Sequence, residues 1–142
     1  MMKRILAFDV GDKRIGVAVS DALGITAQPV ETYHRKGGAE KDAEYLLALA
    51  KKYAPCTLLF GLPRNMDGTY GEQAEKVKRF AQRLIDRWEG DYAFYDERLT
   101  TMAAQRVLID ADVSREKRKQ VIDKMAAVVI LQGYMESHRN QL

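Results

Sequence analysis

The sequence predicts an α/β fold, a mixed sheet of antiparallel hairpin strands and parallel strands with helices on both faces. Three observations predict it. Two apolar runs rich in branched residues, RILAFDV and IGVAVSD, flank the polar turn GDKR near the N-terminus. Further apolar runs alternate with stretches of helical periodicity. One of them, TLLFG at 57 to 61, is continuously apolar, as expected of a parallel strand buried on both faces.

Taken in order, residues 4 to 10 and 15 to 21 form a hairpin, and QPVETYH (28 to 34) a third strand with Pro29 confined to its start or to an edge. RKGGAE is a loop. From Ala39 to Ala54 the positions Ala43, Leu46, Leu47, Ala50 and Tyr53 recur at helical spacing, with acids early and Lys51 and Lys52 late, as the helix dipole favours. After the strand at 57 to 61, Thr69 and Glu72 read as a capping box ahead of Ala74, Val77, Ala81, Leu84 and Trp88, a second amphipathic helix. DYAFYDE (91 to 97) is the next strand. Two helices follow, a short one near 100 to 111 and a longer one from about Ser114, its expected N-cap, to about Ser137.

The 142 residues, 46% of them hydrophobic, fit one domain over residues 1 to 142 with a single sizeable core, since domains typically hold roughly 100 to 150 residues. No apolar stretch approaches the ~20 residues that cross a bilayer, and MMKRILAFDV has an acid inside the short run a signal peptide would need, so a cytoplasmic location is expected. Cys56 is the sole cysteine, which excludes an internal disulfide, and its place beside TLLFG predicts a buried side chain. A net charge of +3 and a pI near 9.0 suit a polyanionic partner without establishing one.

In such a sheet, ligands bind outside the carboxyl ends of the parallel strands. Asp9 closes the first strand, Glu97 follows YAFYD, and Asp123 enters a helix that is apolar nearly all round from Met125 to Leu131. Each has an ordinary reading: a turn or cap for Asp9, a pair with Arg98 for Glu97, a pair with Lys119 or Lys124 for Asp123. Together they read differently. Three carboxylates with no histidine or cysteine cluster make a hard-oxygen site suited to Mg²⁺ or Mn²⁺ and to phosphate chemistry.

The blocks DVGDKRIGVAVSD (9 to 21), FGLPRNMDGT (60 to 69), DERLTT (96 to 101) and DKMAAVVIL (123 to 131) resemble, in order, four signature blocks of the YqgF/RuvX family of pre-16S rRNA nucleases or Holliday junction resolvases. The resemblance implies a ribonuclease H-like fold and a metal-dependent nuclease whose catalytic and metal-binding residues are Asp9, Glu97 and Asp123, with two Mg²⁺ or Mn²⁺ ions. It also implies water attack on the phosphorus, leaving 5′-phosphate and 3′-hydroxyl ends.

Gly11 and Gly16 would let the hairpin turn tightly and let a phosphate approach the backbone. Lys13 and Arg14 would neutralise that phosphate, and Arg64, Asn65, Thr69 and Arg98 would contact nucleic acid; a solvated turn, good NMDGT turn chemistry and an acid clamp are the rival readings. The basic run SREKRKQ (114 to 120) is either a solvated face or a further contact. His34 and His138 receive no role.

Two other classes compete. D-x-G followed by a hairpin also resembles the phosphate loop of actin and hexokinase ATPases, which need a second such domain that 142 residues do not supply. A non-catalytic nucleic-acid-binding module would keep the fold and the basic surface. The favoured partner is pre-rRNA, with ribosomal precursor particles, as the family's preferred role implies. Branched DNA is the alternative, and the chain would be a monomer or a homodimer.

Overall fold

The computed structural model describes residues 3–65, 67–96 and 115–139, and at 115–124 and 139 the backbone alone. Its elements run β1 (Arg4–Val10), β2 (Arg14–Ser20), β3 (Ala27–His34), α1 (Ala39–Lys52), β4 (Cys56–Leu62), α2 (Glu72–Ile85), β5 (Tyr92–Asp96) and α3 (Arg115–Arg139). The five strands form one sheet in the order β3-β2-β1-β4-β5. β1 pairs antiparallel with β2 and β2 with β3, whereas β1–β4 and β4–β5 are parallel. The expected strands and helices are therefore present wherever the residues are described. The short helix near 100 to 111 and the Ser114 cap lie outside the described residues.

Alternation along the strands divides the core in two. Leu6, Phe8, Val10, Ile15, Val17, Leu58, Phe60 and Leu62 pack under α1 and α2 with Leu46, Ala50, Val77 and Leu84. Their neighbours Ala7, Ala18 and Leu59 pack under α3 with Ala127, Val128, Ile130, Leu131 and Met135. α3 lies across β2, β3 and β1 and touches β4. Helices thus cover both faces.

Cys56 is buried as expected, its Sγ 3.7 Å from the Ala50 carbonyl oxygen, and burial pushes its thiol up to about 11. The capping box does not form. α2 begins at Glu72 with Gly71 as its N-cap and no side-chain cap, while the Thr69 hydroxyl donates to Asp67 Oδ1 at 2.6 Å. Asp67 also accepts the Thr69 N–H at 2.9 Å, so a local Asx turn captures the threonine. Among the described residues no helix is long and apolar enough to cross a membrane.

Candidate active site

The parallel pairing of β1, β4 and β5 brings their carboxyl ends to one edge, and Asp9 stands there, the second-last residue of β1. Two residues after Ala7, it occupies a position on the α3 face. Its partner across β2 is Gly16. On β4 the pairing Phe8↔Phe60 carries forward to Gly61, so Asp9 has a glycine on each neighbouring strand. Beyond Gly16 comes Thr32 of β3, whose buried hydroxyl oxygen has no hydrogen-bond partner among the described residues. It lies about 10 Å from Asp9, two strand spacings away. The row combines a half-buried carboxylate, a glycine on each neighbouring strand and, at its ends, Thr32 of β3 and Tyr95 of β5.

Glu97 and Arg98 lie outside the described residues. Asp96, the last residue of β5, fixes the strand end from which they continue. Asp123 is placed through its backbone: it belongs to α3, and helical periodicity puts position 123 on one stripe with Ala127 and Ile130, which pack on the sheet. Among the described residues no group of three or more His, Cys, Asp or Glu gathers at metal-ligating distance. The oxygen donor of Asp9, with no histidine or cysteine beside it in the β1 motif, fits a hard cation better than zinc.

Lys13 and Arg14 stand at the tip of the β1–β2 hairpin. The tip is closed by the Gly11 N–H donating to the Arg14 carbonyl at 2.9 Å. A Cβ on Gly11 would meet that oxygen at 2.7 Å, so the turn requires glycine. Arg64, Asn65 and Thr69 lie on the β4–α2 loop at the same carboxyl edge, and all three are engaged within the protein. Arg64 Nε donates to the Gly68 carbonyl at 2.6 Å and its Nη1 to Asp96 Oδ2 at 2.9 Å, with the guanidinium 4.9 Å from the centre of the Tyr70 ring. Tyr70 donates to the other Asp96 oxygen at 2.8 Å, which raises the tyrosine's pKa. Asn65 Nδ2 donates to the Thr69 hydroxyl at 3.1 Å. Arg64 thus ties the loop to the end of β5, immediately before Glu97.

The family model for RuvX, described as Holliday junction resolvase, matches residues 3–137. The chain belongs to the RuvX family. A relative from Clostridium novyi, named "Putative pre-16S rRNA nuclease", is 51% identical over 134 residues, 94% of this chain and 98% of its own. One of the same name from Halalkalibacterium halodurans is 53% identical over 140 residues, covering 98% and 99% of the two chains. Among solved structures, T. thermophilus RuvC in complex with Holliday junction substrate superposes with a TM-score of 0.53 at 13% identity, over 94% of this chain and 96% of that one. At that identity the likeness shows the fold, which is ribonuclease H-like.

In this RuvX chain the structure also gathers residues that no sequence motif marks. Asp42 of α1 is 1% exposed and accepts from Tyr33 Oη at 2.8 Å and Arg35 Nε at 2.9 Å. Burial alone would raise its carboxyl, but the hydrogen bonds from Arg35, Tyr33 and the Lys36 N–H outweigh burial and hold it below the usual carboxylate range. Arg35 then reaches the Gly11 carbonyl at 2.9 Å through Nη1 and lies 4.8 Å from the centre of the Phe80 ring. One arginine therefore links the hairpin turn two residues past Asp9, the start of α1, and α2. The only signal in the sequence is an arginine and an aspartate seven residues apart across a glycine loop, a spacing that pairs only once the loop's path is known.

Proposed function

We propose that the chain is a metal-dependent nuclease, one ribonuclease H-like domain over residues 1–142, that hydrolyses phosphodiester bonds in processing the 5′ end of pre-16S rRNA in the cytoplasm. The observation that carries the reading is Asp9 at the carboxyl end of β1, on the edge to which the parallel strands β4 and β5 also run. Family membership and relatives named for pre-16S rRNA cleavage support the substrate.

Asp9, Glu97 and Asp123 would hold Mg²⁺ or Mn²⁺, which when bound supplies Lewis acidity and a low-pKa water for in-line displacement. The chain's own groups do the rest. Lys13 and Arg14 at the hairpin tip offset phosphate charge next to the carboxylates. Arg64 and Tyr70 fix Asp96 and so the strand end that leads to Glu97. α3 would bring Asp123 to the site from a helix position four residues before Ala127 and seven before Ile130. Arg98 stands beside Glu97 in sequence and serves as a substrate contact.

The test is cleavage of a labelled pre-16S 5′ fragment and of a four-way DNA junction, with Mn²⁺, Mg²⁺ or EDTA. The wild type is expected to cut the RNA only with metal, leaving 5′-phosphate and 3′-hydroxyl ends. Asp9→Asn should lower the rate on the order of 10³-fold, since one metal ligand is worth several kcal/mol in the transition state. Binding should persist or tighten, because a negative charge near the phosphate is removed. Undiminished cutting by Asp9→Asn rejects the site, and symmetric cutting of the junction alone makes branched DNA the substrate.

A further inference from the structure

On the opposite side of the hairpin from Asp9's face, a cleft of about 830 Å³ opens between the hairpin tip, the β3–α1 loop and α2. Lys13, Arg14, Arg35, Lys76, Arg79 and Arg83 line it, against the carboxylates Asp12 and Asp42. The surplus of four positive charges exceeds the net +3 of the whole chain. The rest of the chain therefore sums to a formal charge of −1, so the lining of this cleft holds the chain's net positive excess.

Not all six cations are available. Arg35 is held by Asp42, and Arg83 by Glu40, which also pairs with Arg87. Lys76 is 3.6 Å from Asp12, a loose contact between two exposed side chains. Lys13 and Arg79 form no ion pair among the described residues. Lys76 and Arg79 are i, i+3 neighbours on the exposed surface of α2 and so lie side by side. The exposed apolar side chains Leu23, Ile25, Tyr45, Tyr70, Tyr92 and Phe94 are all elsewhere. Phe80, the large apolar side chain that lines the cleft, is 4% exposed with Arg35 over its ring, so a cationic cleft of this kind fits a sugar–phosphate backbone better than an amphipathic peptide.

We propose that this cleft binds the nucleic-acid backbone flanking the scissile phosphate, with Lys76 and Arg79 as its phosphate contacts. The inference rests on the nuclease reading and adds where the substrate runs. The cleft starts at Asp12, three residues after Asp9, hence at most ~10.5 Å of extended chain away. That is about three base steps of a duplex at 3.4 Å each. A strand cut at Asp9 would pass the hairpin tip, meet Lys13 and Arg14 there, and enter the cleft. The Asp42–Arg35–Gly11 linkage holds the tip and the cleft in fixed relation.

The experiment measures binding of a labelled 20-nucleotide RNA by fluorescence anisotropy over a range of salt, in the Asp9→Asn background so that cleavage does not intrude. Lys76→Gln with Arg79→Gln is expected to weaken binding roughly tenfold and to flatten the log K against log salt slope by about 1.4, near 0.7 for each phosphate no longer neutralised. Both side chains are exposed, so the melting temperature should be unchanged. The control, Lys51→Gln with Lys52→Gln, removes the same charge at the far end of α1 and should leave affinity and slope nearly intact. An unchanged affinity and slope in the α2 variant overturns the proposal. An equal loss in the control also overturns it, because the effect is then general charge. If a mononucleotide or inorganic phosphate binds as tightly as the RNA and shows the same loss, the cleft is a small-anion site and the proposal falls. Should the Asp9→Asn protein bind neither RNA nor a DNA junction, the nuclease reading falls with it; binding that ignores the α2 substitutions removes the cleft alone.

Discussion

The two faces of the sheet are built from residues of different size, and the candidate site lies on the small-residue face. Under α1 and α2 the strands present Leu6, Phe8, Ile15, Val17, Leu58 and Phe60, with Phe8 and Phe60 stacked at 5.4 Å between ring centres. Under α3 the same strands present Ala7, Ala18 and Leu59, with Gly16 and Gly61 at the carboxyl end. Large side chains fill the first face with apolar area. On the second, the small residues Ala7, Ala18 and Gly16 let a helix lie close to the edge where Asp9 stands. Stability and chemistry are therefore drawn largely from opposite sides of one sheet, which makes their separation measurable.

The largest stability effect is expected on the α1/α2 face. Phe60 is fully buried and touches both Phe8 and Phe94. Phe60→Ala should cost about 4 kcal/mol through the transfer energy forgone and the cavity left behind. Urea denaturation checks the value. Because the residue faces away from Asp9, the fraction still folded should retain most of its activity; a variant that keeps its stability but loses catalysis would reverse the division of labour between the faces.

Next comes the buried pair behind the cleft. Asp42→Asn leaves Arg35 without its counter-charge and should cost about 3 kcal/mol. The pH dependence has a definite sign. The Asp42 carboxyl is depressed in the fold, so its stabilisation is complete above the unfolded value near 3.9 and is lost as pH falls through the lower folded value. The gap between wild type and Asp42→Asn should hold from about pH 5 to 8 and close below about pH 4. Tyr33, raised by its burial and by its bond to Asp42, works at the other end: its contribution is present below about pH 10 and disappears as pH climbs through its folded value. Thermal melts of both proteins across pH check the sign: a gap that instead narrows as pH rises above about 4 would mean that Asp42 is protonated in the fold.

The strands and helices were legible in the sequence because each is an amphipathic or doubly buried pattern with a local period. Strand ends such as Cys56–Leu62 fall within a residue or so of expectation for the same reason. Asp9 could be singled out because a strand end is a position that sequence pattern defines. The capping box that does not form shows the opposite case. Thr69 has two acceptable turn geometries, and Asp67, two residues earlier, offers the shorter-range bond. Arg35 and Asp42 were invisible because their pairing depends on the path of the Gly37–Gly38 loop, where Gly37 adopts a φ of 89°. On α2 the apolar stripe dominates the pattern, although Lys76, Arg79 and Arg83 repeat at the same helical spacing and form a basic stripe beside it.

The smallest expected stability change gives the sharpest contrast with Phe60. Ala18 is fully buried between the sheet and α3, in the cluster that holds Ala127, Ile130 and Leu131. Ala18→Leu adds three carbons where small residues set the spacing, and overpacking of this kind costs about 1–3 kcal/mol. The backbone can relieve it only by moving α3 outward, and α3 carries Asp123. A displacement on the order of 1 Å at a catalytic group costs about 10²-fold in rate. Measured on the folded fraction, Ala18→Leu should therefore lose far more activity than Phe60→Ala while losing less stability. Equal activity in the two variants would mean that α3 does not set the geometry of the carboxylates, and Asp123 would leave the site.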